Sequence, residues 1–303
     1  MIHQFNLSLK ITLQNFFAAK MRTFLTVLGI VIGIAAVMIV MSVGSSAQDV
    51  ILDQIRVVGS DLVGILPGAA EDDGPPPSAM GIVVTTLVNS DLEAIRKETN
   101  VPHALAVSGY VTGNDVVQYK SYSKSYTYQG VSADMINVES NKIEKGRFFD
   151  EAEDESVAQV AVLGAKIAKK VFDDEDAVGK KIKIGSASFR VIGVMEERGT
   201  TMVSNYDEMI YIPLKTAQKN MLGINHLNFI RMKVDHEDNV LTTQEDVKLL
   251  LRSRHDIADG EEGDFSVRNI ASALTTINNV TNIMKYFLTA VASIALIVGG
   301  LGL

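Results

Sequence analysis

The sequence predicts an α+β domain outside the cytoplasm, held between transmembrane α-helices. The 303-residue chain has an uncharged apolar segment near each end, and basic residues precede the first of them. Its long middle part alternates strand-like and helix-like patterns. Two segments of membrane-spanning length with a polar region between them are typical of a membrane protein with one large aqueous domain.

Residues 24–43 form the first apolar segment, FLTVLGIVIGIAAVMIVMSV. Its 20 uncharged residues match the length that an α-helix needs to cross about 30 Å of hydrocarbon. We therefore expect a transmembrane helix over 23–45. A buried core helix is disfavoured because the segment has no polar face. A cleavable signal peptide is disfavoured because its apolar region is usually shorter.

Flanking charge predicts the orientation of this helix. Lys10, Lys20 and Arg22 precede it, and no acidic residue occurs before Asp49. Basic residues stay on the cytoplasmic side, so the N-terminus is expected inside and the middle of the chain outside. Residues 1–22 carry apolar side chains at three- to four-residue spacing, which predicts an amphipathic helix in the cytoplasmic interface of the bilayer. Packing on a soluble partner is the alternative.

The second apolar segment runs from Tyr286 to the last residue, Leu303, without a charge or a basic flank. We expect 281–303 to be the start of a second transmembrane helix in a C-terminally truncated chain. Both membrane segments contain closely spaced glycines, which let helix backbones approach each other in a bilayer. These glycines could pack helices of one chain against each other or form a contact between the two chains of a dimer. The candidate helix-packing residues are Gly29, Gly33, Gly299 and Gly300.

Residues 46–280 are predicted to form the extracytoplasmic domain, in which two similar halves bracket an insertion. In the first half, 46–129, a strand over 61–66 precedes a helix that we expect to open at a capping box, Ser90 to Glu93. In the second half, 214–280, a strand over 227–234 precedes a second capping box, Thr242 to Glu245. A β-rich stretch follows the first helix, and a strand over 264–268 follows the second.

The insertion, 130–213, is predicted to be rich in β-structure. A strand over 157–163 leads into a helix from Ala165 to Phe172. Alternating apolar residues predict a hairpin from Lys181 to Met195, with its turn at Gly185-Ser186. A last strand covers 208–214. The acidic run 173–176 is expected to be a solvated loop, with a partner contact as the alternative.

The sequence contains no signature of a catalytic or metal site. It has no cysteine, which excludes thiol nucleophiles and cysteine-based zinc sites. No phosphate-binding glycine loop, nucleophile elbow or zinc-protease motif occurs. The net charge of −8 argues against nucleic acid as a partner. We therefore expect no catalytic, cofactor-binding or metal-binding residues in this chain, and a binding or force-transmitting domain in place of an enzyme.

Four stretches resemble the MacB-type ABC transporter permeases, which are FtsX-like permeases with a MacB-like extracytoplasmic domain. The resemblance covers essentially the whole chain, and the four stretches keep the family's order and spacing. They are KMRTFLTVLGIVIGIAAVMIVMSVG at 20–44, GRFFDEAEDESVAQVAVLGAKIAKKVF at 146–172, AVGKKIKIGSASFRVIGVMEERG at 177–199 and EMIYIPLKTAQ at 208–218.

The resemblance implies a fold and a mode of action. The two bracketing halves would form a porter-like lobe of split βαβ units, and 130–213 would be a second, inserted β-rich lobe. The chain would be an exporter permease in the cell membrane, working as a homodimer or heterodimer and moved by a cytoplasmic ABC ATPase. A periplasmic adaptor protein is a further expected partner.

The chain begins shortly before its first apolar segment, so we expect the stand-alone permease type. ATP and Mg²⁺ would then be bound by the separate ATPase and not by this chain. Two alternatives are kept: a related permease that releases lipoproteins or controls cell-wall hydrolases, and a membrane-anchored sensor. The sequence does not distinguish drugs, peptides and other cargo as the substrate.

Overall fold

The computed structural model describes residues 61–69, 77, 81–173, 175–199, 205–258 and 260–269, with single positions inside 21–42 and 282–291. Its contacts divide the chain into two units. One comprises Met1–Asp53 with Leu274–Leu303, and the other comprises Gln54–Ala273.

In the first unit, the described positions inside 21–42 and 282–291 are helical. Taken over the described residues alone, no helix has both the length and the apolar character needed to cross a membrane. The predicted interfacial helix and most of each predicted membrane segment lie outside the described residues. The transmembrane assignments for 23–45 and 281–303 therefore stay predictions.

The second unit is an α+β domain. Its strands are β1 (Leu62–Pro67), β2 (Ala104–Tyr119), β3 (Tyr122–Val131), β4 (Ile143–Gly146), β5 (Val160–Leu163), β6 (Lys181–Ile184), β7 (Ala187–Met195), β8 (Met209–Pro213), β9 (Phe229–Val234) and β10 (Phe265–Asn269). Its helices are α1 (Asn89–Ile95), α2 (Met135–Val138), α3 (Glu151–Glu155), α4 (Ala165–Phe172), α5 (Leu214–Thr216, continued by a π-helix over Ala217–Leu222) and α6 (Val240–Arg254).

The two predicted strand–helix–strand halves interleave in the sheet. Its first four strands are ordered β10-β1-β9-β2, and neighbouring strands are antiparallel. Strand β9 lies between β1 and β2, and β1 lies between β9 and β10. Each half is thus a split βαβ unit, whose missing central strand comes from the other half.

The inserted strands continue the same sheet and close on themselves. Strand β2 pairs with β9 through its first part and with β3 and β6 through its second. The order β2-β3-β8-β5-β7-β6 then returns to β2. In this closed ring, each of the six strands pairs with a neighbour on both sides. Such closure limits edge-to-edge aggregation. Because one sheet runs through both predicted lobes, their division at 129/130 and 213/214 stays a prediction.

The main core lies between the four-stranded part of the sheet and the helices α1 and α6. Alternate residues of the central strands point toward these helices, and burying them is the largest stabilising contribution to this part of the fold. The fully buried side chains here include Val63, Ile65, Ile95, Ile230, Met232, Val247 and Leu251.

Both predicted capping boxes are wrong. Helix α1 begins two residues earlier than the predicted box allows, and the carboxylate of Asp91 accepts the backbone N–H of Val88 at 3.0 Å. Helix α6 begins at Val240, so Thr242 to Glu245 lie inside it. There the buried Gln244 donates to the backbone oxygen of Val267 at 3.2 Å. Asp91 and Gln244, which lie inside the two predicted boxes, connect α6 to α1 and to β10.

A histidine with a largely buried side chain joins α1, the end of α6 and the segment before β10. His255 lies with Nε2 3.2 Å from the Asp91 carboxylate and Nδ1 2.7 Å from that of Asp264. Arg254 Nε donates to Asp91 at 2.9 Å. Burial alone would lower the pKa of His255, but hydrogen bonds to Asp264 and Asp91 outweigh it, and the pKa is raised above its ordinary value.

This contact predicts pH-dependent stability. Since the folded-state pKa of His255 lies above its unfolded value of about 6.5, the stabilisation is complete below that pH and is lost as pH rises through the folded pKa. Urea denaturation of Gln54–Ala273 at about pH 5.5 and about pH 8.5 measures the change. We expect His255→Gln to reduce the pH dependence of the free energy of unfolding. The matched control His236→Gln, at an exposed histidine, should leave it unchanged; equal profiles for the two variants would contradict the assignment.

Candidate functional site at the Glu139 cluster

A group of buried and half-buried polar side chains lies where the four-stranded part of the sheet meets the inserted strands. We call it the Glu139 cluster; its members are Tyr110, Glu139, Asn141, Arg198 and Arg231. They come from β2, the chain after α2, the segment after β7, and β9. The cluster lies on the sheet face opposite α1 and α6, where α2 packs on β2 and β9.

Local sequence explains why Arg231 reaches this face. In β9, FIRMKV, Ile230, Met232 and Val234 are buried against α1 and α6. The alternation of a strand therefore directs Phe229 and Arg231 to the opposite face. Phe229 stacks on Tyr110 with ring centroids 4.5 Å apart, and the Arg231 guanidinium lies 5.4 Å from both ring centroids.

Glu139 is the centre of the cluster, and its side chain is 4% exposed. One carboxylate oxygen accepts from Arg231 and, at 3.0 Å, from the hydroxyl of Tyr110. The other accepts from the Asn141 amide at 3.3 Å and lies 3.8 Å from Arg198 Nη1. A buried carboxylate is stable only with such partners.

The electrostatics agree with this geometry. Burial opposes the charge of Arg231, but the Glu139 carboxylate outweighs it, and the pKa of Arg231 is raised above its ordinary value. Burial, followed by the charge of Glu139, raises the pKa of Tyr110 well above its ordinary value. Arg231 therefore stays charged, and Tyr110 stays a neutral hydrogen-bond donor at physiological pH.

Arg198 extends the cluster into the inserted part of the domain. Its guanidinium donates to Asn141 Oδ1 at 2.5 Å and lies 4.6 Å from the ring centroid of Tyr206. Its backbone N–H donates to Asp207 at 2.8 Å, and Lys166 Nζ of α4 lies 3.0 Å from the same carboxylate. The contacts thus run without interruption from β9 to α4.

Asp207 holds the end of these contacts that lies next to α4. Its side chain is 1% exposed, and burial alone would raise its pKa. The backbone N–H groups of Arg198 and Gly199 and the Lys166 ammonium reverse this, so the pKa of Asp207 is lowered below its ordinary value. A cavity of about 190 Å³ lies beside the cluster and is lined by Asn141, Arg198 and Tyr206 among others.

The arrangement is suited to holding parts of the domain in a fixed orientation. Over the ranges that the structure describes, no group of three or more acidic or histidine side chains is placed to hold a metal ion. Every carboxylate and guanidinium of the cluster is engaged by another member or by a neighbour. Such fully satisfied polar networks make a core rigid.

The sequence did not point to these residues. The predicted helix-packing residues Gly29, Gly33, Gly299 and Gly300 all lie outside the described residues. Arg231 was missed because a charged residue that alternates with apolar ones is also what a solvated strand face shows. For Glu139, the one available signal was the mostly apolar segment Met135–Val138 directly before it, which indicates that the chain is buried there.

The pairing predicts a large loss of stability when Glu139 is removed alone. Glu139→Ala leaves the Arg231 charge without its buried partner, which typically costs about 3–5 kcal/mol. The double variant Glu139→Ala/Arg231→Met should cost less than the sum of the single variants by about 1 kcal/mol or more. Urea denaturation of the unaltered protein, the two single variants Glu139→Ala and Arg231→Met, and the double variant gives the coupling free energy between Glu139 and Arg231.

Glu245→Ala is the control, because it breaks the exposed pair between Lys248 and Glu245. Exposed pairs contribute about 0.2–1 kcal/mol. A cost for Glu139→Ala within that range would show that the cluster does not stabilise the domain.

Comparison with known proteins identifies the family of the chain. Residues 23–250 match the family described as the MacB-like periplasmic core domain. The chain is 33% identical over 296 residues to a macrolide export ATP-binding/permease protein MacB of Marinobacter nauticus, and 32% identical over 299 residues to that of Shigella dysenteriae. These alignments cover 97% and 98% of this chain but 44% of each relative. The chain thus spans less than half the length of these relatives.

Two solved structures share the fold. The periplasmic region of MacB from Actinobacillus actinomycetemcomitans aligns with a TM-score of 0.63 at 23% identity, over 76% of this chain and 98% of that one. The extracellular domain of the noncanonic ABC-type transporter YknZ from Gram-positive bacteria aligns with a TM-score of 0.55 at 17% identity, over 69% and 100%. Sequence and fold agree: the chain belongs to the family of the MacB-like periplasmic core domain.

Proposed function

We propose that the chain is a permease subunit of an ABC-type exporter and that it transmits an ATP-driven conformational change to its extracytoplasmic domain. The match to the MacB-like periplasmic core domain over 23–250 carries the proposal. The relatives named above are export ATP-binding/permease proteins. Because this chain spans less than half of their length, its activity and its partners are part of the proposal.

The extracytoplasmic domain is proposed to move as one rigid body. The continuous sheet and the closed ring of six strands support this, because sliding one part past another would break many backbone hydrogen bonds. The Glu139 cluster adds a buried, charge-assisted connection between β9 and the inserted strands. A rigid domain of this kind would pass a movement at its membrane end to its far end with little internal deformation.

The proposed assembly contains a cytoplasmic ABC ATPase that binds ATP and Mg²⁺, a second permease subunit, and a periplasmic adaptor. The proposed topology is multi-pass in the cell membrane, with the N-terminus in the cytoplasm and the domain of β1–β10 outside. Catalytic residues are proposed to lie in the ATPase alone. Macrolides are the first cargo to test, since the relatives above are named for macrolide export.

A related permease that releases lipoproteins or controls cell-wall hydrolases is the second candidate. The observation that favours it is the shared fold with YknZ, a noncanonic ABC-type transporter of Gram-positive bacteria. The two candidates share the permease fold and the ATPase. They differ in the protein that contacts the extracytoplasmic domain.

A pull-down distinguishes these functions. The protein is extracted from its native membrane in a mild detergent, and its partners are identified by mass spectrometry. We expect an ABC ATPase to be recovered. An adaptor beside it supports export, whereas a cell-wall hydrolase supports the second candidate. If an ATPase is absent under conditions that preserve other ABC complexes, the permease proposal fails and the membrane-anchored sensor takes its place.

Rigid-body motion is tested by distances between spin labels. The chain has no cysteine, so cysteines introduced at Lys169 in α4 and Lys248 in α6 are labelled selectively. We expect ATP to leave the distance distribution within one domain unchanged in the complex. In Glu139→Ala/Arg231→Met the distribution should broaden, because the cluster no longer fixes β9 to the inserted strands. A shift of this distance on ATP binding in the otherwise unaltered protein would refute rigid-body transmission.

A further inference from the structure

Strand β10 lies at one end of the described sheet. It pairs with β1 alone among the described strands. Just before the strand, the N–H of Gly68 donates to the oxygen of Asp264 at 2.7 Å. Pairs alternate along an antiparallel ladder, so Ser266 and Arg268 also direct their backbone groups toward β1. Phe265 and Val267 direct theirs to the open side.

The outward backbone groups of β10 belong to Phe265 and Val267. The outward oxygen of Val267 accepts the side-chain amide of Gln244 at 3.2 Å, which agrees with the alternation. The outward N–H groups of Phe265 and Val267 donate to no group within the described part of the chain. An edge with such donors can accept an additional strand.

A basic groove runs along this edge. A cavity of about 140 Å³ lies between β10 and α6, lined by Phe265 and Val267 and by the cations Lys248, Arg252 and Arg268. Lys248 forms an exposed pair with Glu245. Arg252 donates to the backbone oxygens of Ala258 and Glu261, which are neutral acceptors. Lys248 and Arg252 thus place two cationic side chains of α6 beside the edge, in a chain whose net charge is −8.

We propose that the β10 edge and its basic groove bind an extended acidic segment of a partner protein by strand addition. Main-chain hydrogen bonds to Phe265 and Val267 would supply pairing, and alternate side chains of the added strand would lie over α6 next to Lys248 and Arg252. Acidic residues at those positions are complementary to the groove. A second copy of this chain fits less well, because pairing two β10 edges would bring the same cations together.

The test uses a fluorescent peptide of the length of β10 with alternating Glu and Val. Its binding to the 303-residue chain in detergent micelles is measured by fluorescence anisotropy. We expect affinity to fall as salt is raised and to be about tenfold weaker in Lys248→Glu. The matched control Lys219→Glu changes the same charge at an exposed lysine of the π-helix and should leave affinity unchanged.

Two further measurements separate strand addition from simple charge attraction. Hydrogen exchange followed by mass spectrometry should show slower exchange across 265–269 when the peptide is bound. The same peptide with methylated backbone nitrogens cannot pair as a strand and should bind about tenfold more weakly. Absence of binding, equal loss in both lysine variants, equal binding of the methylated peptide, or self-association of the chain through β10 would each overturn the proposal. None of these readouts needs an ATPase, so they stand apart from the proposed permease function.

Discussion

The buried carboxylate of Glu139 imposes a constraint that its surroundings are built to meet. A charge removed from water costs several kcal/mol, about what a small domain has as its entire net stability. Here the compensation comes from Tyr110, Arg231, Asn141 and Arg198, which belong to segments far apart in the chain. These segments must all be in place before the charge is satisfied. The cluster therefore couples the correct placement of β2, β9 and the segment after β7.

The same reasoning explains why Asp207 is placed at the far end of the contacts. A second buried carboxylate satisfied by backbone N–H groups and Lys166 fixes the segment that carries Arg198. Arg198 is thereby held at its backbone by one acid and directed by its side chain toward another. Opposite charges alternate along the path, so no two like charges are buried side by side.

Hydrophobic periodicity predicted the secondary structure correctly where burial alone determined it. The helix Ala165–Phe172 and the hairpin from Lys181 to Met195 occur as predicted, because alternation and amphipathicity there reflect burial directly. The capping boxes failed because the two helices begin earlier in the chain than these sequences, at Asn89 and Val240. The Glu139 cluster could not be predicted, since it depends on which strands become neighbours. The closed ring of strands likewise follows from pairing between β2 and β6, which no local pattern encodes.

Strand β2 also restricts how this domain can change in evolution. Its 16 residues serve two sets of neighbours, β9 at one end and β3 with β6 at the other. Deleting one residue from its middle would turn every later side chain to the opposite face, and the aromatic and aliphatic residues inside the ring would become exposed. The reversal at Lys120 and Ser121 has no such restriction, because the pairing of β2 and β3 ends there. Length variation among relatives should therefore collect at the tip of this hairpin and be absent from the strand that leads to it.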